Sequence, residues 1–224
     1  MNMIRNLVNC LAASLLFVPF AYGQDLSKYR DFSLGTSVIE LSKQVNEKPA
    51  DASVIHQRPA LIQELTWWPV PSYQSPAPSE PVQEILFSFY NDELYRIVAT
   101  YGSAATQGLT AADMVEAISA KYGVPTRPAA EAKLPAIVAF SSTGDTIASW
   151  EDPQYLLTLS RFPLSGTFRL VLSSKQLNGQ ADVAIAGALK QERDDAPQRE
   201  IARVKKETDD LETMRQANLK AFRP

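Results

Sequence analysis

The pattern that most constrains this chain lies between Val82 and Tyr101. Ile85, Phe87 and Phe89 alternate with their neighbours, and a second apolar run follows Asn91-Asp92. Period-two alternation places one set of side chains on one face of a strand. An Asn-Asp pair between two such runs is turn chemistry. The segment therefore reads as a β-hairpin, residues 82–90 and 93–101. A lone hairpin with an apolar face is not stable in water, so the rest of the chain must cover it.

Covers are present on both sides. Upstream, Val38, Leu41 and Val45 recur at helical spacing and define a helix over 37–45, with Ser37 and Glu40 in capping-box register. Downstream, a helix over 111–122 turns Met114, Ile118 and Ala117 to the core. Thr110 and Asp113 cap its start, and Gly123 and Pro125 end it. A strand is expected over 60–68, stopped by Pro69, with others over 137–141 and 146–150. A second hairpin is expected over 155–162 and 167–174. Residues 24–35 read as a lead-in, and 46–60 and 124–135 as loops. Residues 69–81 hold five prolines, which exclude regular pairing and favour an extended segment.

The two helix-plus-hairpin stretches look like copies of one unit. A shift of 73 residues carries Ser37 onto Thr110, Leu41 onto Met114, Val45 onto Ile118 and Phe89 onto Phe162. It also lays Tyr95-Arg96-Ile97-Val98 on Phe168-Arg169-Leu170-Val171. The loops between helix and hairpin do not align, as loops tolerate insertion. The fold class expected is α+β: two tandem helix-plus-antiparallel-sheet repeats followed by a C-terminal helical tail. The boundaries are 24–105, 106–178 and 179–224, after a leader at 1–23.

The Leu34-Gly35 lead-in before the first helix, and the Phe89-Tyr90-Asn91-Asp92 centre of the hairpin, carry a resemblance. Over residues 30–175 the chain resembles the modules of the beta-lactamase inhibitor protein and related small envelope proteins. It is also similar to exported bacterial proteins with no assigned activity. The resemblance implies a module that binds other proteins, and it transfers no functional residue individually.

In the tail, a helix is expected over 181–193. A fresh start follows at Asp195 as N-cap with Pro197 in the first turn, and a longer helix continues to Ala221. Ile201, Val204, Thr208 and Leu211 keep three-four spacing for two heptads, too few for a coiled coil. Lys205 with Asp209 and Lys206 with Asp210 stand at ion-pairing distance along a helix.

Export is the expectation for the N-terminus. Arg5 is the only charge before Asp25, and a mostly apolar run from Leu7 to Phe20 follows it. That run is shorter than the roughly 20 residues of a membrane-spanning helix. Ala21 and Gly23 supply the small residues of a cleavable signal, with a cut between Gly23 and Gln24, or alternatively after Ala21. The only cysteine, Cys10, leaves with the leader. The mature chain then has neither disulfide nor thiol chemistry and must be held by its core.

Removal of Arg5 leaves 21 basic against 25 acidic residues, which provides no electrostatic basis for nucleic-acid binding. No phosphate loop, dinucleotide fingerprint or zinc-protease motif is present, and the single histidine, His56, excludes a multi-histidine metal site. No cofactor, metal site or catalytic residue is therefore assigned. His56 reads as a polar loop residue. Glu151 and Asp152 beside Trp150 read as a strand end rather than a sugar site, and Arg96 and Arg169 as outward-facing strand residues. Trp67, Trp68 and Tyr73 flank the proline segment. They are candidate anchors for a partner, since Trp and Tyr dominate binding hot spots, or else packing at the edge of the core. The functional expectation is a periplasmic or secreted, non-catalytic protein-binding or adaptor protein whose partner is another envelope protein. No membrane span remains once the leader is gone. The alternatives are a periplasmic hydrolase using carboxylates and a self-associating envelope assembly factor.

Overall fold

The computed structural model describes residues 25–69, 80–127, 144–162 and 166–223. The proposed leader with its cut at Gly23-Gln24, Tyr73, and the strand expected over 137–141 all lie outside these residues. The lead-in is structured: β1 (Lys28–Tyr29) and β2 (Phe32–Ser33) pair as a small hairpin, with Arg30 at positive φ in the turn. Two-residue strands are too short to leave a periodic trace in the sequence. Helix α1 (Val38–Gln44) has the expected capping box, with the Ser37 hydroxyl accepting from the Glu40 N–H at 3.3 Å. Its first N–H, on Val38, donates to Asp92 Oδ1 at 3.0 Å, tying the helix to the hairpin turn.

The segment 46–60 is not a plain loop. It contains a 3-10 turn at Pro49–Asp51 and a short strand, β3 (Ser53–His56), of which Ser53, Val54 and Ile55 are exposed. An edge strand with no buried face carries no alternation to read. Next come β4 (Ile62–Trp67), β5 (Val82–Tyr90), β6 (Glu93–Tyr101) and α2 (Ala111–Tyr122). The chain closes with β7 (Asp145–Glu151), β8 (Tyr155–Arg161), β9 (Phe168–Ser174) and α3 (Lys175–Ala221). The fold is α+β: a two-stranded sheet, a seven-stranded antiparallel sheet and a long C-terminal helix.

The large sheet runs β3-β4-β5-β6-β9-β8-β7. The strands of the two halves of the chain thus form one continuous sheet, joined by β6 against β9, with Val98 opposite Val171. One face carries the main core. Leu41 of α1 and Met114 and Ile118 of α2 join Ile85, Phe87, Ile97, Leu159 and Leu170 in a single buried cluster. Phe32 makes edge-on ring contacts with Phe87 and Trp67, and Tyr122 donates its hydroxyl to the Lys28 carbonyl at 3.0 Å. Trp150 is fully buried, and its indole N–H donates to the Gly123 carbonyl at 2.7 Å. Ala117, expected in the core, is exposed, because Met114, Ile118 and Tyr122 fill the inward stripe of α2.

The tail is one helix, not two. Helix α3 runs unbroken for 47 residues through Pro197, starting four residues before the boundary read at 179. Proline costs a helix one N–H and crowds the carbonyl four residues before it. Residues around Pro197 are all exposed, so water can satisfy that carbonyl. The ion pairs also differ from those read in the sequence. Arg203 bridges Glu200 at 2.7 Å and Glu207 at 3.1 Å, and Arg215 holds Glu212 at 2.7 Å, while Lys205 and Lys206 make no ion pair among the described residues.

Candidate functional site

Strand alternation sends a second set of side chains to the face opposite α1 and α2. The first turns of α3 cover one end of that face. Ala181 packs there with Ile62 and Tyr95, flanked by Leu177, Ile185 and Tyr90. Beyond Ala188 every described residue of α3 is exposed, and the last contact with a strand is that of Glu192 with His56 at the β3 edge. The helix also latches the far half of the sheet. Lys175 donates to Glu151 at 2.9 Å and to the Asp152 carbonyl at 2.6 Å.

The remainder of this face is organised in cross-strand rows. The middle row runs Thr66, Leu86, Val98, Val171, Thr158, Ser149. Its centre is apolar. On one side of it lies Glu64, Ser88, Arg96, Ser173, and on the other Glu84, Thr100, Arg169, Ser160, Thr146. Most of these residues are half-buried, with Ser88, Ser149, Ser160 and Ser173 buried. The face thus has an apolar centre flanked by two rows that each carry one arginine and one glutamate.

Electrostatics on the face are local. Arg96 reaches Glu64 at 3.7 Å and donates to the Ser88 hydroxyl at 3.4 Å, and Ser88 donates in turn to Glu64 at 3.2 Å. Arg169 instead stacks its guanidinium 4.3 Å from the centre of the Phe162 ring. The Nε atoms of both arginines are buried with no hydrogen-bond partner.

Among the described residues, those singled out in the sequence do not converge. Trp67 is half-buried against Phe32 on the core side, while Trp68 is exposed just beyond the end of β4. His56 ends β3, and its Nδ1 lies 3.2 Å from Glu192 of α3. It is therefore a strand-to-helix contact rather than a loop residue. Asp152 accepts from the N–H groups of Gln154 and Tyr155, both at 2.7 Å, which makes it the turn-former between β7 and β8. A lysine partner on Glu151 holds that carboxyl below its usual range. Arg96 and Arg169 do share one face, as alternation implied. The rows around them were missed because a cross-strand neighbour is set by register, which no single strand encodes.

Among the described residues, no group of three or more His, Cys, Asp or Glu could hold a metal, and no helix is long and apolar enough to cross a membrane. Comparison with known proteins returns nothing similar: no family model matches the chain, nor does any curated protein or solved structure.

Proposed function

We propose that the chain is an exported protein-binding or adaptor protein of the bacterial envelope, and that it binds through the open face of its seven-stranded sheet. The observation that carries this reading is the apolar row Leu86, Val98, Val171, set between two arginine-bearing rows on a face that α3 covers only at one end. The leader-like N-terminus supports a periplasmic or secreted location. We further propose that the two halves of the sheet are copies of one helix-plus-sheet unit. In its support, the seam pairs Val98 with Val171 at the 73-residue offset of the sequence match. The burial pattern of residues 95–99 repeats at 168–172.

The test is affinity capture from envelope extract, comparing the exported protein with Val171→Glu and Trp68→Ala. One partner captured in proportion, lost with Val171→Glu and kept with Trp68→Ala, assigns the sheet face. The converse result moves the site to the proline segment beside Trp68. Retention of the partner by both variants rejects both surfaces.

A second reading, self-association through the tail, has its own observation. Ile201, Val204 and Leu211 share one side of α3 and are all exposed. Light scattering on the exported protein and on a chain ending at Asp194 tests it. A mass that does not change apart from the deleted residues rules it out.

A further inference from the structure

We infer that Arg169 receives a carboxylate side chain from the protein partner, in the position that Glu64 occupies at Arg96. The inference rests on the open sheet face being the binding surface. The two arginines stand in rows of the same order. Arg96 lies opposite Ser88, and Ser88 opposite Glu64. Arg169 lies opposite Ser160, and Ser160 opposite Thr146. Where the first row ends in an acid, the second ends in a hydroxyl.

The consequence is visible in the contacts. The Arg96 guanidinium is met by Glu64 and Ser88 through Nη2. The Arg169 guanidinium makes no hydrogen bond and no ion pair among the described residues, and stacks on Phe162. Its Nε has lost water without gaining an acceptor, while the terminal nitrogens are not buried and are free to take one. The ring contact places the guanidinium 4.3 Å from the Phe162 centre, and a planar fork so placed suits a carboxylate. With Nε buried, the partner's oxygens meet the terminal nitrogens, as Glu64 does at Arg96.

The same row indicates the kind of partner. Across Thr100 from Arg169 stands Glu84, roughly 10 Å away at two strand spacings. Glu84 makes no ion pair among the described residues. One unpaired cation with one unpaired anion nearby disfavours a polyanion such as nucleic acid. It fits a protein surface that presents a carboxylate beside a basic or amide group.

The experiment follows the Nε–H signals of the arginines by nuclear magnetic resonance on the exported protein. The probe is N-acetyl-aspartate amide, with N-acetyl-asparagine amide as the uncharged control. The expected result is a saturable shift of the Arg169 signal with the aspartate probe alone, while the Arg96 signal stays in place. Thr146→Glu supplies the missing acid and should weaken the response about tenfold or more. Glu64→Thr should create a second saturable response at Arg96. An Arg169 signal that does not move, or moves no more than that of exposed Arg58, overturns the inference. In the capture experiment, a partner held equally by Arg169→Gln and Thr146→Glu overturns it too, yet leaves the binding reading intact. A saturable Arg169 response in a protein that captures nothing overturns the reading of the face instead.

Discussion

Trp150 is the largest side chain withdrawn fully from solvent, and its indole N–H is spent on the carbonyl that ends α2. Trp150→Ala is expected to cost about 3–5 kcal/mol of stability in denaturant titration. A cost below 1 kcal/mol would mean that the β7 edge is not part of the core. Charge is informative at Glu80. Burial alone would raise its carboxyl, but hydrogen bonds from Arg30 at 2.9 and 3.0 Å and from the Val82 N–H at 2.9 Å outweigh that and hold it below its ordinary value. A carboxyl depressed in the folded state contributes stability above its unfolded value, near pH 4, and loses that contribution as pH falls. Calorimetry from pH 7 to pH 3 should therefore show a falling melting temperature, and Glu80→Gln should flatten part of the fall. At this scale the sequence was informative about periodicity and poor about partners. Alternation put Arg96 and Arg169 on an outer face, but Glu64 and Thr146 reach them only through neighbouring strands.

Elements with a strong period were legible: α1, α2, the β5–β6 hairpin and β8–β9 lie within a residue or two of their expected bounds. Both capping boxes were readable as well, because they depend on residues only three apart. Thr110→Ala should cost about 1 kcal/mol, measured by denaturant titration, since the Asp113 N–H loses its acceptor. What was not legible has physical causes. Strand β3 buries no side-chain face, and β1–β2 is shorter than any period. The join at Pro197 misled because proline at a first turn and proline inside an exposed helix share the same local sequence. Proline in a helix interior is unfavourable by about 3 kcal/mol relative to alanine. Pro197→Ala should thus raise the helical circular dichroism signal and slow amide exchange near residue 197. No change in either would indicate two helices after all.

For the whole molecule, the sheet and the far half of α3 are energetically separate. Residues 189–223 are exposed throughout, and past the His56–Glu192 contact the helix runs on for about 40 Å. Ending the chain at Asp194 should leave the melting temperature within a few degrees, since no buried side chain is lost. Ending it at Ser174 removes Ala181, Ala184 and Ala188 and uncovers Ile62 and Tyr95, and should lower it sharply. Thermal denaturation of the two truncations checks both. The seam between β6 and β9 governs how the molecule can assemble. When β6 has paired with β5, its other edge waits for a strand whose Val171 lies 73 residues later in the chain. Closing so long a loop is slow compared with forming the hairpins on either side. A bare edge is also a template for any strand that arrives first. At high concentration that strand can be β9 of another molecule, and the β6–β9 seam would then become a route to exchanged dimers.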